Sequence, residues 1–191
     1  GIDPSSILTL TFTNKAAAEM RERAFSMIDP SYINTPPLLC TFHKFGLLFL
    51  KFHMTELDRK NNFIIIDTDD KKRILKSIDK DITTSLLVSE ISKYKNTLIT
   101  PTEAKAAAQL KLYQQIADVY EKYEAYLLKN NLVDFDDLLL LPYQILKQNK
   151  KLAEETSQRY QYIMVDEYQD TNELQYKLLR MLCCTHNNLC V

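Results

Sequence analysis

The sequence predicts an α/β fold in which a parallel sheet is interrupted by a large, all-helical insertion. Three observations carry this expectation. Two β-rich runs near the amino end, residues 7–12 and 38–42, are each followed by apolar residues at helical spacing, the pattern of parallel α/β units. The middle of the chain, from about residue 55 to 131, reads as mostly helix. Strand-then-helix order returns at residues 162–165, and that run leads straight into Asp166-Glu167.

The elements can be justified in order. Residues 7–12 (ILTLTF) have strand length and composition. Thr13 then stands at an N-cap position, where its hydroxyl can accept an orphan amide hydrogen bond. Ala16, Ala17, Met20 and Ala24 follow at three- and four-residue spacing, which predicts a helix. Pro36-Pro37 mark a turn before the second strand, and a helix is expected over about residues 43–52. Within the insertion, a helix over 67–78 starts on Asp67 or Thr68. Thr100-Pro101-Thr102-Glu103 forms a capping box with proline at the first helical position. The helix it opens sets Tyr113, Ile116, Tyr120, Tyr123 and Leu127 on one face. That face suits either base stacking or a core stripe whose hydroxyls reach the edge, with the core reading favoured. Asn130-Asn131 ends the helix. The next one, over 134–146, is expected to break or kink at Pro142. Beyond Val165, Asp170 or Thr171 can cap a helix whose Leu174, Leu178, Met181 and Leu182 form an apolar stripe. Residues 189–191 look like the start of a further strand, which suggests an excised fragment.

Composition narrows the class of function. With 46% hydrophobic and 26% charged residues, the chain is globular rather than a disordered tail. No apolar run approaches the roughly 20 residues that span a bilayer, and no basic-then-apolar leader opens the chain. A cytoplasmic protein without membrane contact is expected. The four cysteines (Cys40, Cys183, Cys184, Cys190) form no CxxC pair and read as buried thiols in a reducing compartment. A net charge of −1 gives no bulk positive field for nucleic acid. The only two glycines, Gly1 and Gly46, rule out a glycine-rich phosphate loop or dinucleotide fingerprint within these residues.

One feature could carry chemistry. A hydrophobic strand ending in Asp166-Glu167 sets two carboxylates at the carboxyl edge of a parallel sheet, where α/β proteins bind ligands. Such a pair can divide phosphoryl transfer, one residue holding Mg²⁺ and the other activating water. On spacing alone the signal is weak, and a solvated loop start is the favoured reading.

The longer string VDEYQDTN (165–172) resembles motif II, the Walker B element, of UvrD/Rep/PcrA-type superfamily 1 helicases. TFTNKAAAEMRERA (11–24) is similar to their motif Ia, CTFHKF (40–45) to motif Ib, and VDFDDLLLL (133–141) to the aspartate-rich segment before motif II. The four strings stand in the family's order and cover the chain from end to end.

The resemblance implies a partial P-loop NTPase (RecA-like) sheet, with residues 1–53 and 133–191 as two pieces of motor domain 1A and 54–132 as helical subdomain 1B. It implies an ATP-dependent 3′–5′ DNA helicase of replication or repair, using ATP and Mg²⁺ on single strands and single/double-strand junctions, cytoplasmic and nucleoid-associated. By motif match, Asp166 resembles the Mg²⁺ ligand, Glu167 the catalytic base, and Gln169 the residue that couples nucleotide state to movement. Phe12, Thr13 and Asn14, with Thr41, Phe42 and His43, match positions that contact single-stranded DNA. Each also has a structural role open to it: Phe12 in the strand core, Thr13 as a cap, His43 as a core histidine. Lys44 replaces the family's usual small residue, as a phosphate contact or a solvated charge. Asp134, Asp136 and Asp137 are expected to cap and brace a helix rather than bind metal. Lacking a phosphate loop, the chain by itself is expected to bind no cofactor and to be inactive. The alternatives are a subunit of a helicase-nuclease and, for the isolated chain, a non-catalytic DNA-binding or interaction fragment.

Overall fold

The computed structural model describes residues 1–29 and 34–191. In chain order its elements begin β1 (Ile7–Thr11), α1 (Asn14–Met27), β2 (Leu38–Thr41) and α2 (Phe42–His53). The middle holds β3 (Ile64–Ile65), α3 (Thr68–Ile78), α4 (Thr84–Asn96), α5 (Pro101–Ala107), α6 (Lys111–Lys129) and β4 (Leu132–Val133). It closes with α7 (Asp137–Gln148), α8 (Lys150–Arg159), β5 (Tyr162–Val165), α9 (Glu173–Leu182) and β6 (Leu189–Cys190). Two compact units result: residues 1–49, 142–171 and 175–191 form one, and residues 50–141 with 172–174 form the other. The chain passes between them within α2 and α7, the latter at Pro142.

The first unit is built on a parallel sheet of order β2-β1-β5-β6. β1 pairs Leu10 with Cys40 on one side and with Val165 on the other. Leu8, Leu10, Cys40, Ile163 and Val165 are buried, the near-continuous apolar content expected of parallel strands. Thr13 caps α1, its Oγ1 accepting from Ala16 N at 3.1 Å. Arg21 on that helix donates to Leu39 O at 3.1 Å. In α9 the buried stripe is Leu174, Leu178, Leu179 and Leu182, with Met181 at its margin.

Several expectations are corrected. Asp170 and Thr171 do not cap α9, which starts at Glu173; they belong to a 3₁₀ turn over Tyr168–Asp170 closed by its own hydrogen bonds. Pro142 does not break α7. It forfeits one amide bond, and buried Leu138–Leu141 on one side with Ile145 and Leu146 on the other keep the helix continuous. Of the cysteines only Cys40 is buried, with burial pushing its thiol up to about 11; Cys183 is half-buried, and Cys184 and Cys190 are exposed.

The second unit is not all-helical. β3 and β4 form a short parallel ladder, extended by Ile64 N to Asn131 O at 3.1 Å and Ile66 N to Val133 O at 2.9 Å. The β-branched run Ile64-Ile65-Ile66 favours that extended pairing. Around it α3, α4, α5 and α6 enclose a core of Leu75, Leu87, Ile91, Ala104 and Ile116, with Tyr120, Tyr123 and Leu127. The tyrosine face of α6 is therefore a core stripe, except for the more exposed Tyr113. Tyr120 donates to Ile99 O at 3.1 Å, and the Tyr123 hydroxyl, buried rather than at the edge, donates to Asp134 at 2.8 Å. The capping box is present, Thr100 N reaching Glu103 Oε2 at 2.8 Å and Glu103 N reaching Thr100 Oγ1 at 3.2 Å, but it opens only α5, which ends where Ala108 turns extended; the tyrosine face belongs to a separate helix, α6, and not to the one the box starts. Asp67 caps α3 through Asp70 N at 2.7 Å.

Inside this unit lies a fully buried lysine. Lys95 Nζ donates to Asp134 Oδ2 and Asp137 Oδ1, each at 2.9 Å. Glu124 Oε1 lies 2.6 Å away as an ion pair outside hydrogen-bond geometry. Lys71 adds contacts of 3.4 Å to Asp134 and 3.5 Å to Asp136. Asp134 and Asp137 also cap one another's amides, Asp137 N to Asp134 Oδ1 at 2.9 Å and Asp134 N to Asp137 Oδ2 at 3.1 Å. Burial opposes the Lys95 charge, but the three carboxylates outweigh it and raise its pKa. Burial also works against the Asp134 carboxylate, yet Lys95 and Lys71 hold it well below the usual range. Burial and the neighbouring Asp134 push Asp137 up to about 7.

Removing one partner of such a cluster leaves uncompensated charge in the interior. Lys95→Ala should destabilise the protein by about 3–5 kcal/mol. Urea unfolding reads this as a lower midpoint, and a loss below about 1 kcal/mol would show that the cluster contributes only what a surface ion pair does.

Candidate functional site

Because β1, β2 and β5 run parallel, their carboxyl ends open on one edge of the sheet. From β1 the chain continues to β2 on one side, while β5 and β6 lie on the other. This is the topological switch beside which open α/β sheets hold ligands. The ladder runs one residue past β5: Asp166 N donates to Leu10 O at 3.1 Å, fixing the Asp166 backbone beside Thr11. Asp166 is half-buried, and Glu167 and Gln169 are exposed.

Glu167 has a left-handed backbone, φ 55° and ψ 44°. A side chain pays about 1–2 kcal/mol for that conformation, so the surroundings must hold it. They do so through the turn it starts. Asp170 N donates to Glu167 O at 2.9 Å, Thr171 N to Tyr168 O at 3.0 Å, and Thr171 Oγ1 to the same carbonyl at 2.8 Å. The strand thus ends abruptly and presents two successive carboxylates at the sheet edge.

The β1 and β2 ends are built alike, each a threonine cap opening a helix. Thr13 and Asn14 are exposed at the start of α1, and buried Thr11 braces the bend by donating to Thr13 O at 3.1 Å. Thr41 Oγ1 accepts from Lys44 N at 3.0 Å, so Thr41 is the hydroxyl cap of α2. His43 is half-buried and Lys44 exposed. Phe42 is 1% exposed, and its ring lies 5.3 Å from that of the half-buried Phe12. Two capped helix amino ends therefore open at the edge that carries Asp166 and Glu167. Such ends favour anions. The bracing by Thr11 and the cap on Thr41 are roles that sequence reasoning missed; a threonine just before an apolar helical run was the available signal for the second.

Asp166 and Glu167 are hard oxygen donors, a type that suits Mg²⁺. Among the described residues no group of three His, Cys, Asp or Glu side chains could hold a metal ion alone. Two carboxylates alone leave most of such an ion's oxygen shell to other donors. No described helix is long and apolar enough to cross a membrane.

The model of the UvrD/REP helicase N-terminal domain family matches residues 1–191. The chain belongs to that family. It is 39% identical to a protein named probable DNA helicase II homolog from Mycoplasma capricolum, over 100% of this chain and 28% of that protein. It is 39% identical to ATP-dependent DNA helicase Rep from Buchnera aphidicola subsp. Acyrthosiphon pisum, over 94% of this chain and 29% of the relative. Identity to ATP-dependent DNA helicase PcrA from Staphylococcus aureus is 34%, over 100% of this chain and 27% of the relative. The chain thus spans under a third of the length of these curated relatives.

The strand-end geometry of this family member can be tested without any assay of function. Glu167→Gly should stabilise the chain by about 0.5–1 kcal/mol, because glycine adopts φ near 55° without a Cβ penalty. Glu167→Val should destabilise it by more than that. Thermal melts of the two variants beside the parent decide the point, and a glycine variant less stable than the parent would refute the left-handed turn.

Proposed function

We propose that the protein containing this chain is an ATP-dependent DNA helicase that moves 3′ to 5′ along single strands in replication or repair. The observation that carries the reading is the Asp166-Glu167 pair at the end of β5, on the edge where two helix amino ends open. Family membership and the likeness to relatives named ATP-dependent DNA helicases support it. ATP and Mg²⁺, when bound, supply the phosphoryl group and neutralise its charge. Asp166 would hold the ion through water, and Glu167 would orient the attacking water and accept its proton. Gln169, exposed on the same turn, would sense the nucleotide state. This stretch alone, with two glycines, lacks the amide nest that cradles phosphates and would not hydrolyse ATP.

Single-stranded DNA, including that at a duplex junction, would lie along the β1 and β2 ends. Thr13, Asn14, Thr41, His43 and Lys44 would meet phosphates with hydroxyl, amide, imidazole and ammonium groups. Phe12 would stack on a base with the buried Phe42 ring as its support. With a net charge of −1 over this chain, affinity here comes from local contacts rather than from a bulk field. The parent would act in the cytoplasm, at the nucleoid.

In the full-length protein, Glu167→Gln should bind ATP almost normally yet lose about 10²–10⁴-fold in turnover, since an amide cannot accept the proton. Turnover within about threefold of the parent would remove Glu167 from the role of base. Phe12→Ala should weaken binding of labelled oligothymidine by about 1–3 kcal/mol. Tyr113→Ala, an exposed tyrosine of α6, should leave it unchanged. Equal losses in two folded variants, read by fluorescence anisotropy, would move the DNA contact to the tyrosine helix.

A further inference from the structure

We propose that the helical unit carries a docking cleft for an extended segment of a partner protein, which seats an arginine side chain between Phe135 and the carboxylates of Asp67 and Asp136. A cavity of about 470 Å³ opens at the carboxyl ends of β3 and β4, within the range of about 300–1,000 Å³ that takes organic groups. Its walls include Ile65 from β3, Asp67 and Lys71 at the start of α3, Val88 from α4, and Phe135 and Asp136 beyond β4. All of these residues belong to the helical unit, so nothing in the cleft depends on the nucleotide or DNA contacts proposed above.

Charge decides what the cleft accepts. Asp67, Asp134 and Asp136 line it against one ammonium, that of Lys71. Lys71 lies 3.4 Å from Asp134 and 3.5 Å from Asp136, beyond the roughly 2.7–2.9 Å of a charge-assisted hydrogen bond. Asp134 is served from behind by Lys95 at 2.9 Å and by Tyr123 at 2.8 Å. Asp136 accepts the neutral amide of Asn96 at 2.9 Å, and a carboxylate has room for about four donors. An anion would meet net repulsion here, whereas a further cation adds charge-assisted bonds to Asp136 and to the exposed Asp67.

The rest of the wall is apolar and open. Phe135 is 60% exposed, Ile64 63% and Ile65 41%. A guanidinium is planar, stacks on an aromatic face and grips a carboxylate through two parallel bonds, where an ammonium is only a point charge. The cleft therefore suits arginine, with its head on Asp136, its plane against Phe135 and its stem along Ile65 and Val88. The strand edge beside the cleft sets the form of the segment that brings the arginine. Ile64 N and Ile66 N donate towards β4, so the Ile65 amide between them faces away. Among the described residues no third strand joins this ladder. An extended chain can add to that edge and cover the exposed isoleucines.

The test uses the full-length protein and a fluorescein-labelled peptide that alternates valine and threonine around one arginine, read by anisotropy without DNA. A second peptide carries citrulline, the neutral isostere, in place of arginine. The arginine peptide should bind about ten- to hundredfold more tightly, the effect of hydrogen bonds to a charged group. Asp136→Asn should weaken the arginine peptide about tenfold and leave the citrulline peptide unchanged. Phe135→Ala should weaken the arginine peptide about two- to fivefold through the lost ring face. Phe52→Ala removes a ring that is 75% exposed elsewhere in the same unit and should change neither. Thermal unfolding runs alongside, and the exposed Phe135 carries the test if Asp136→Asn unfolds. Equal binding of the two peptides, no binding of the arginine peptide at about 1 mM, or unchanged binding by folded Phe135→Ala overturns the proposal. Spermidine that displaces the peptide at equal concentration would assign the cleft to a free polyamine and overturn the partner segment.

Discussion

The parallel pairing of β1 with both β2 and β5 is the constraint that builds the candidate site. It alone brings residues 11–14, 41–44 and 166–169, separated by up to most of the chain, to one edge of one sheet. A slip of one residue in the β1–β5 ladder would turn Ile163 and Val165 out of the interior and the exposed Met164 into it, so the alternation of β5 pins that register. Since Asp166 continues the ladder, its position follows from that register rather than from contacts of its own carboxylate. The site inherits its precision from the apolar core beneath it.

The helical unit is ordered by a different force. Its core would accept several packings of leucine, isoleucine and tyrosine, as apolar cores commonly do. Lys95 with Asp134, Asp137 and Glu124 admits few, because each buried charge needs its partners at hydrogen-bond or ion-pair distance. The same aspartates close the start of α7 through reciprocal capping. Such a cluster need not add net stability, but a misassembled version would be strongly penalised.

Features set by nearest neighbours were legible in the sequence. Thr13 before an alanine-rich helix, the Thr100–Glu103 box and Asp67 before α3 are local chemistry, and each cap is present. The strands ahead of Thr13 and of Asp166 were legible from composition and length. What escaped was set by distant partners. The β3–β4 ladder joins Ile64 to Leu132, and no short window contains both. Lys95 reads as a solvated charge until Asp134 and Asp137 arrive from far along the chain. Pro142 looked like a breaker because local propensity says so, and burial on both sides prevailed. At the site, the strand ending in Asp166-Glu167 could be read from the sequence, whereas the left-handed backbone of Glu167 could not, for no glycine or asparagine marked it.

In the proposed function, this sheet edge is where ATP hydrolysis meets DNA. Steady-state phosphate release by the full-length protein, with and without single-stranded DNA, addresses it most directly. Mg²⁺-dependent hydrolysis is expected, rising when single strands are added and falling back as salt displaces them. A folded full-length protein that releases no phosphate, or does so at a rate indifferent to DNA, would contradict it.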